Sequence, residues 1–122
     1  MFYHTLTGNS GDSKPVLLWT NPNPNIKLEM TEIAGNYSKY KYILAKAKYS
    51  ISNSYTTENI IGKKSGSYTS GIYIFTTDVK TNVRPIDFTD TLIKINVSYQ
   101  IVENTTTTEN SYCIITEIYG IE

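Results

Sequence analysis

Alternation of apolar and polar side chains is the feature that most limits what this chain of 122 residues can fold into. The alternation is clearest from Thr91 to Val102, TLIKINVSYQIV. A period of two puts successive side chains on opposite faces of a strand, whereas a helix repeats every 3.6 residues. The segment therefore predicts one long strand, whose buried face carries Ile93, Ile95, Val97, Tyr99 and Ile101.

Similar patterns occur along most of the chain. They predict further strands over residues 15–20, 26–33, 37–51, 55–61, 68–76 and 111–121. Turn residues separate these segments, among them the two Asn-Pro steps of residues 21–24, which remove backbone donors and force extended geometry at each Asn. Polar stretches at 62–67, 77–90 and 103–110 are predicted to be loops. The fold class expected is all-β, a jelly-roll-like antiparallel β-sandwich of about seven to eight strands.

Residue usage favours strands over helices. The chain has 17 Thr, 16 Ile and 11 Tyr but only 3 Ala and 6 Leu. Because Thr, Ile and Tyr suit a pleated sheet and Ala and Leu suit helices, this balance argues against a helix bundle, a coiled coil and a βαβ enzyme. The single cysteine, Cys113, excludes an internal disulfide. It lies in an apolar strand and is predicted to be a buried small hydrophobe.

Charge and hydrophobicity exclude two classes of partner. The chain carries 11 Lys plus Arg and 11 Asp plus Glu, so its formal net charge is zero and it has no basic patch suited to nucleic acid. No apolar run approaches the length of a transmembrane helix, so we expect no membrane insertion. The small, polar segment LTGNSGDSK predicts a flexible linker over residues 1–14, followed by a single domain over residues 15–122.

Catalytic and metal-binding motifs are sparse. His4, the only histidine, precedes the predicted domain, and the acidic pairs Glu29/Glu32 and Asp87/Asp90 lie on opposite strand faces and in a predicted loop, respectively. The chain has no zinc-ligand spacing, no phosphate-binding glycine pattern and no EF-hand loop. The sequence therefore predicts a protein that is not an enzyme and that uses no cofactor and no metal.

Aromatic and polar side chains carry the remaining functional signal. Tyrosines that share strand segments with lysine or serine can form an interface or stack on a ligand, as at Tyr40 and Tyr42. The predicted loops supply polar groups. The candidate binding residues are Tyr40, Tyr42, Lys63, Lys64, Arg84 and Asp87. Trp19, just before the Asn-Pro steps, is predicted to anchor the core beneath that corner.

Two segments resemble a known family. Residues 16–24 read VLLWTNPNP and the chain closes on IYGIE at residues 118–122. This pattern resembles a C-terminal module of minor structural and tail proteins of tailed bacteriophages and of prophages in Gram-positive bacteria. Glu122 stands where that module often has Lys, and the Pro that often precedes its ending is missing here. The resemblance implies a β-sandwich module on a tail fibre or tail tip, often homotrimeric and facing the host surface.

The expected function follows from the resemblance and from the lack of catalytic motifs. It is a non-enzymatic virion structural protein, a tail-associated head module that binds a host-surface glycan or protein receptor. Such a protein would be made in the cytoplasm of the bacterial host and would end in the virion tail. The alternative is a carbohydrate-binding module of a bacterial surface or secreted protein, which predicts two or three coplanar exposed aromatics and often a bound calcium.

Overall fold

The fold is all-β. The computed structural model describes residues 14–63, 67–75 and 79–122, so the predicted linker lies, except for Lys14, outside the described residues. The strands in chain order are β1 (Val16–Thr20), β2 (Thr31–Ala34), β3 (Tyr42–Ser50), β4 (Asn53–Gly62), β5 (Ser67–Phe75), β6 (Val79–Phe88), β7 (Leu92–Ile95), β8 (Tyr99–Val102), β9 (Thr105–Thr108) and β10 (Tyr112–Ile121). Within these ranges the chain forms no helix, and hence none that could span a membrane.

The strands form two antiparallel sheets. Sheet A has the order β1-β10-β3-β4. In sheet B, β6 pairs with β5 along one edge and with both β7 and β8 along the other, while β2 pairs with β7 and β9 with β8. This arrangement is consistent with the predicted β-sandwich, although its ten strands over the described residues exceed the seven to eight expected.

The core lies between the two sheets. Sheet A contributes Ile43, Ala45 and Ile118, and sheet B contributes Ile86 and Phe88 to one cluster of buried side chains. Cys113 belongs to this cluster and is fully buried, which confirms its prediction as a small core hydrophobe. Trp19 is half-buried and packs against the cluster. It faces Ile118 across the β1–β10 pair, as expected for an anchor close to the Asn-Pro corner.

The Asn-Pro corner is tied to the last strand. Asn21 is buried, its backbone N–H donates to the carbonyl of Thr116, and its side-chain amide donates to the carbonyl of Ile115. Its Oδ1 accepts from the backbone N–H of Asn23, which forms the local turn typical of Asn. These bonds reach β10 where its register with β3 shifts, between Ile115 and Glu117. The motif thus satisfies backbone groups that a β-bulge leaves unpaired.

The prediction of a loop over residues 77–90 is wrong. Residues 79–88 form β6, the strand at the centre of sheet B. The segment resembles a loop because polar side chains, Asn82 and Arg84, occupy positions that face the core, and because Pro85 follows them. Local sequence rules assign such a segment to a loop or an edge strand. Here hydrogen bonds to distant parts of the chain satisfy the polar groups of both Asn82 and Arg84.

The single strand predicted over residues 91–102 is interrupted. It forms β7 and β8 with a break at residues 96–98, and Val97, predicted to be buried, is 43% exposed. Pro85 on the neighbouring strand explains the break. Its carbonyl accepts from the N–H of Asn96, so the side of Pro85 that lacks a donor faces the interruption. Ile93 and Ile95, which precede the break, are fully buried as predicted.

Three further segments differ from expectation. The strand predicted over residues 26–33 is reduced to Thr31–Ala34, since the backbone before it bonds to segments outside sheet B, as in the N–H of Leu28 donating to Asn110. The strand predicted to begin at residue 37 begins at Tyr42, after a turn in which the N–H of Tyr40 donates to Tyr37. The predicted loop 103–110 contains β9, because Glu103 and Asn104 form a two-residue hairpin turn between Val102 and Thr105.

Arg84, the only arginine of the chain, connects the two sheets. It extends from β6 and is fully buried. Its guanidinium nitrogens donate to oxygen atoms on four separate segments. The acceptors are the carbonyls of Cys113 at 3.1 Å, Leu28 at 2.9 Å, Asn96 at 2.9 Å, Tyr112 at 3.1 Å and Asn110 at 3.3 Å, together with Asn110 Oδ1 at 3.2 Å.

The charge of Arg84 is held by dipoles rather than by a direct carboxylate partner. Burial lowers the pKa of Arg84 to about 10, and the nearby Cys113 and Glu29 act in the opposite direction. Asn110 connects Glu29 to Arg84 by two hydrogen bonds. Its side-chain amide donates to Glu29 Oε2, and its Oδ1 accepts from Arg84. The guanidinium therefore stays charged at neutral pH, and the carbonyls around it compensate for lost hydration.

Replacing Arg84 is expected to cost most of the stability of the domain. Arg84→Lys keeps the charge but has three donors on one nitrogen, so carbonyls of several segments lose their partner. We expect a loss of about 3–5 kcal/mol in the free energy of unfolding, measured by urea denaturation. Lys41→Met, which removes an exposed cation, is the control and should change stability by less than about 0.5 kcal/mol. Equal stabilities of the two variants would contradict this role.

The turn between β8 and β9 holds a strained residue. Glu103 has a φ of 54°, in the region that glycine adopts readily and other residues rarely adopt. Two-residue hairpin turns favour glycine at such positions because the backbone twist of the strands requires a positive φ.

Glu103→Gly is therefore expected to stabilise the protein by about 0.5–1 kcal/mol, because it relieves this strain. Thermal unfolding followed by circular dichroism would measure the gain as a higher Tm. The matched control is Asn104→Gly at the other turn position, where φ is not positive and glycine only increases the entropy of the unfolded chain. A Tm that falls in Glu103→Gly as much as in this control would rule out the strain.

Candidate interaction surface

Both ends of the described chain lie at one end of the sandwich. Val16, at the start of β1, pairs with Gly120, near the end of β10. The turn between β3 and β4 and the turn at Glu103–Asn104 lie at the opposite end. Gly62, where one predicted loop begins, therefore lies at the end where Val16 enters, and Glu103, where another begins, lies at the opposite end.

The face of sheet A that points away from the core carries several large apolar side chains. On sheet A, Leu44 pairs with Tyr119 on one side and with Ile60 on the other, and Tyr119 pairs with Leu17. The adjacent rung on the same face joins Tyr42 to Ile121. We call this set the apolar strip, and it consists of Leu17, Tyr42, Leu44, Ile60, Tyr119 and Ile121.

The apolar strip has a buried middle and an exposed border. Leu44 and Ile121 are nearly fully buried, yet neither belongs to the main core cluster between the sheets. Leu17 is 51% exposed and Tyr42 is 40% exposed. Because apolar groups exposed at a protein surface can mark interaction sites, the strip is the candidate functional surface. Its aromatic rings add apolar area together with hydroxyl groups.

A row of charges borders the apolar strip. Lys46 lies between Glu117 and Glu58 on neighbouring strands, with Nζ–Oε distances of 3.9 Å to Glu117 and 3.8 Å to Glu58. Its Nζ also lies 5.1 Å from the centroid of the Tyr119 ring, and the Tyr119 hydroxyl donates to Glu117 at 3.0 Å. Such partly exposed pairs contribute little to stability but orient the side chains around them. The strip therefore has a polar rim, as protein interfaces do.

The two predicted tyrosines face different environments. Tyr42 is on the apolar strip and is available to a partner. Tyr40 is only 5% exposed, and its ring lies against the backbone of Gly120. A Cβ atom at Gly120 would come 2.7 Å from Cδ1 of Tyr40. Gly120, in the closing IYGIE segment, thus leaves the space that the ring of Tyr40 occupies. The buried position of Tyr40 therefore requires a glycine at residue 120.

Lys63 is held in place by the loops next to β4. Its Nζ donates to the carbonyl of Tyr37 at 2.8 Å and to Asp90 Oδ1 at 2.6 Å, and it lies 5.2 Å from the centroid of Phe88. Tyr37 in turn donates its hydroxyl to Ile33, and burial raises the pKa of Tyr37. The amine therefore joins three loop segments at one end of the sandwich. Lys64, the next predicted binding residue, lies outside the described residues.

Arg84 and Asp87 both lie on β6, and alternation places them on opposite faces of it. Arg84 is fully buried and all its donors serve the protein itself, so this structure leaves no surface of it for an external ligand. Asp87 is half-buried, and its Oδ2 accepts from the amide of Asn96 at 3.4 Å. Its Oδ1 is buried and has no hydrogen-bond partner among the side chains that the structure describes. Their separation means that the predicted binding residues do not form one site.

Of the six strip residues, only Tyr42 was a candidate from the sequence, and Leu17 shows which signal was missed. The run VLLWT contains consecutive apolar residues, and in a strand these cannot all face the same core. Trp19 faces inward, so the leucine two positions earlier is expected on the same side unless a bulge intervenes. The register shift between Leu17 and Trp19 is that bulge, and it turns Leu17 to the outer face. The missed signal is therefore an apolar run longer than one strand face can bury.

Metal chemistry and external comparisons add no further site. The described part of the chain contains no group of three or more His, Cys, Asp or Glu side chains able to hold a metal ion. No protein-family model matches the chain, and no match was found among curated proteins or solved structures.

Adding one methyl group at Gly120 is expected to destabilise the domain because the Tyr40 ring must move. Gly120→Ala should lower the free energy of unfolding by about 1–3 kcal/mol, measured by urea denaturation. Gly62→Ala is the control on the same sheet, because a Cβ there would lie 3.8 Å from the Tyr42 ring, an ordinary contact. Equal effects at the two positions would show that the contact with Tyr40 is not what requires glycine.

Proposed function

We propose that this protein is a non-enzymatic structural component of a bacteriophage virion, a tail-associated head module that binds a glycan or protein of the host surface. The apolar strip is the observation that carries the proposal, because Leu17 and Tyr42 expose apolar surface that the fold itself does not use. The resemblance of VLLWTNPNP and IYGIE to the tail module supplies the biological setting.

Rigidity of the sheet suits this role. The strip is built on the four strands of sheet A, β1, β3, β4 and β10. β3 pairs with β10 on one side and with β4 on the other along nearly its whole length. Side chains on such a frame are preorganised, so little entropy is lost when a partner binds. A tail carries many copies of its proteins, and modest affinity per copy becomes strong attachment when several copies bind together.

The finer parts of the proposal come from the resemblance. They are a jelly-roll arrangement of the sandwich, a homotrimeric assembly and a location in the virion tail after synthesis in the bacterial cytoplasm. A non-catalytic role without cofactor or metal belongs to the same proposal.

Binding of the labelled protein to intact cells tests this function. We expect the fluorescently labelled chain to bind cells of some members of a panel of Gram-positive bacteria, and Tyr42→Ala to weaken that binding by about tenfold, as for an interface aromatic. Tyr55→Ala is the matched control, because Tyr55 is 56% exposed on β4 but is not part of the apolar strip. Flow cytometry over a concentration series would give both affinities.

The outcomes separate the two candidate functions. If no cell in the panel binds the chain, or if Tyr55→Ala weakens binding as much as Tyr42→Ala, the proposed surface is wrong. Binding to soluble polysaccharides on a glycan array without binding to cells would instead favour the alternative, a carbohydrate-binding module of a bacterial surface or secreted protein.

A further inference from the structure

The outer edge of β9 is an open strand edge. β9 is the last strand on its side of sheet B and consists of Thr105, Thr106, Thr107 and Thr108, all exposed. Among the described residues, no other strand pairs with this edge. A strand edge presents backbone N–H and C=O groups that readily pair with another extended chain.

The hairpin geometry shows which groups point outward. Val102 and Thr105 flank the two-residue turn, so they form a hydrogen-bonded pair, and the inward-pointing groups alternate from there. Thr105 and Thr107 thus bond to β8, and the N–H of Glu109 continues the inward series by donating to Ser98. The N–H and C=O groups of Thr106 and Thr108 consequently face away from the sheet.

β9 lacks the features that usually protect an edge strand. Such strands carry charged residues, proline or a bulge. In this chain β1 follows Pro15 and has a register shift, β2 contains Glu32 and β4 contains Glu58. β9 has four β-branched, uncharged residues and a regular register with β8. β5, whose outer side also pairs with no strand among the described residues, is likewise uncharged, but it contains Gly71, which weakens a strand, whereas β9 is β-branched throughout. β9 is therefore the edge best suited to accept another strand.

The edge is complementary to a second copy of itself. In an antiparallel pair around a two-fold axis at Thr107, Thr106 of each copy faces Thr108 of the other, and about four backbone hydrogen bonds form. Thr105 then lies opposite Glu109, the first residue after β9, so no like charges are opposed. A register centred on Thr106 would bring Glu103, in the hairpin turn, close to Glu109, which is unfavourable.

We propose that two copies of this protein pair through their β9 strands, joining both copies of sheet B into one continuous sheet. The contact is small, so it is weak on its own and is reinforced where copies are held close together. The proposal does not rest on the proposed function. Because it uses an edge of sheet B, it leaves the apolar strip of sheet A free for another partner. It predicts a dimer in place of the homotrimer that the phage resemblance implies, and it leaves the other parts of the proposed function unchanged.

Hydrogen exchange of the Thr amides, followed by NMR over a protein concentration series, tests the pairing directly. We expect the Thr106 and Thr108 amides to become at least several-fold more protected as concentration rises, since their donors are bonded only in the dimer. The Thr105 and Thr107 amides are internal controls, because their bonds to β8 exist in the monomer and their protection should be independent of dimer formation.

Two variants distinguish pairing through β9 from other self-association. Thr106→Pro removes an outward donor without removing a bond to β8 and should abolish the dimer seen by sedimentation equilibrium. Thr106→Val keeps the N–H and the branched shape and should dimerise as the parent protein does. Concentration-independent protection at Thr106 and Thr108, a trimer in place of a dimer, or a dimer that persists in folded Thr106→Pro would overturn the proposal. If Thr106→Pro does not fold, the exchange result decides.

Discussion

The hydrogen bonds of Arg84 are the constraint on which the rest of this fold depends. One buried guanidinium donates to the carbonyl groups of Leu28, Asn96, Asn110, Tyr112 and Cys113, which lie on segments far apart in the chain. The carbonyls of Leu28, Asn96 and Asn110 lie outside the regular strands, and Arg84 supplies donors to them; the carbonyl of Asn110 also accepts from the N–H of Leu28. Arg84 thus permits irregular backbone inside the sandwich, and it joins the two sheets through backbone groups rather than through side-chain packing alone.

The irregular positions around Arg84 follow from one another. Pro85 cannot donate to the next strand, so the strand beside it breaks at Asn96–Ser98 and the carbonyl of Asn96 turns to Arg84. Asn110 connects the same centre to Glu29, whose charge partly compensates that of the guanidinium. Cys113 adopts a positive φ of 46° where its carbonyl accepts from Arg84 Nε. A strained residue in a buried strand is tolerated because the bonds around it are strong.

Sequence patterns predicted the parts of the fold that are locally encoded. Alternation located β3 and the buried positions Ile93 and Ile95, and turn residues located the β3–β4 hairpin. The pattern failed at β6, because Arg84 faces the core only where its hydrogen-bond acceptors are. These acceptors lie on four segments far from Arg84 in the sequence, so the residues around β6 do not reveal them. The candidate site was harder still. Tyr42 was found because it is a strand aromatic, but burial of Tyr40 depends on Gly120, eighty residues away in the sequence.

Exchange of the Arg84 guanidinium protons is the most direct test of the claim that this residue anchors the fold. If its donors are all bonded to buried carbonyls, its Nε–H and Nη–H protons should appear as separate NMR signals and should exchange only as fast as the core amides, through global unfolding. Averaged Nη signals that exchange at the rate of an exposed arginine would show that the guanidinium is solvated and that Arg84 does not anchor the fold.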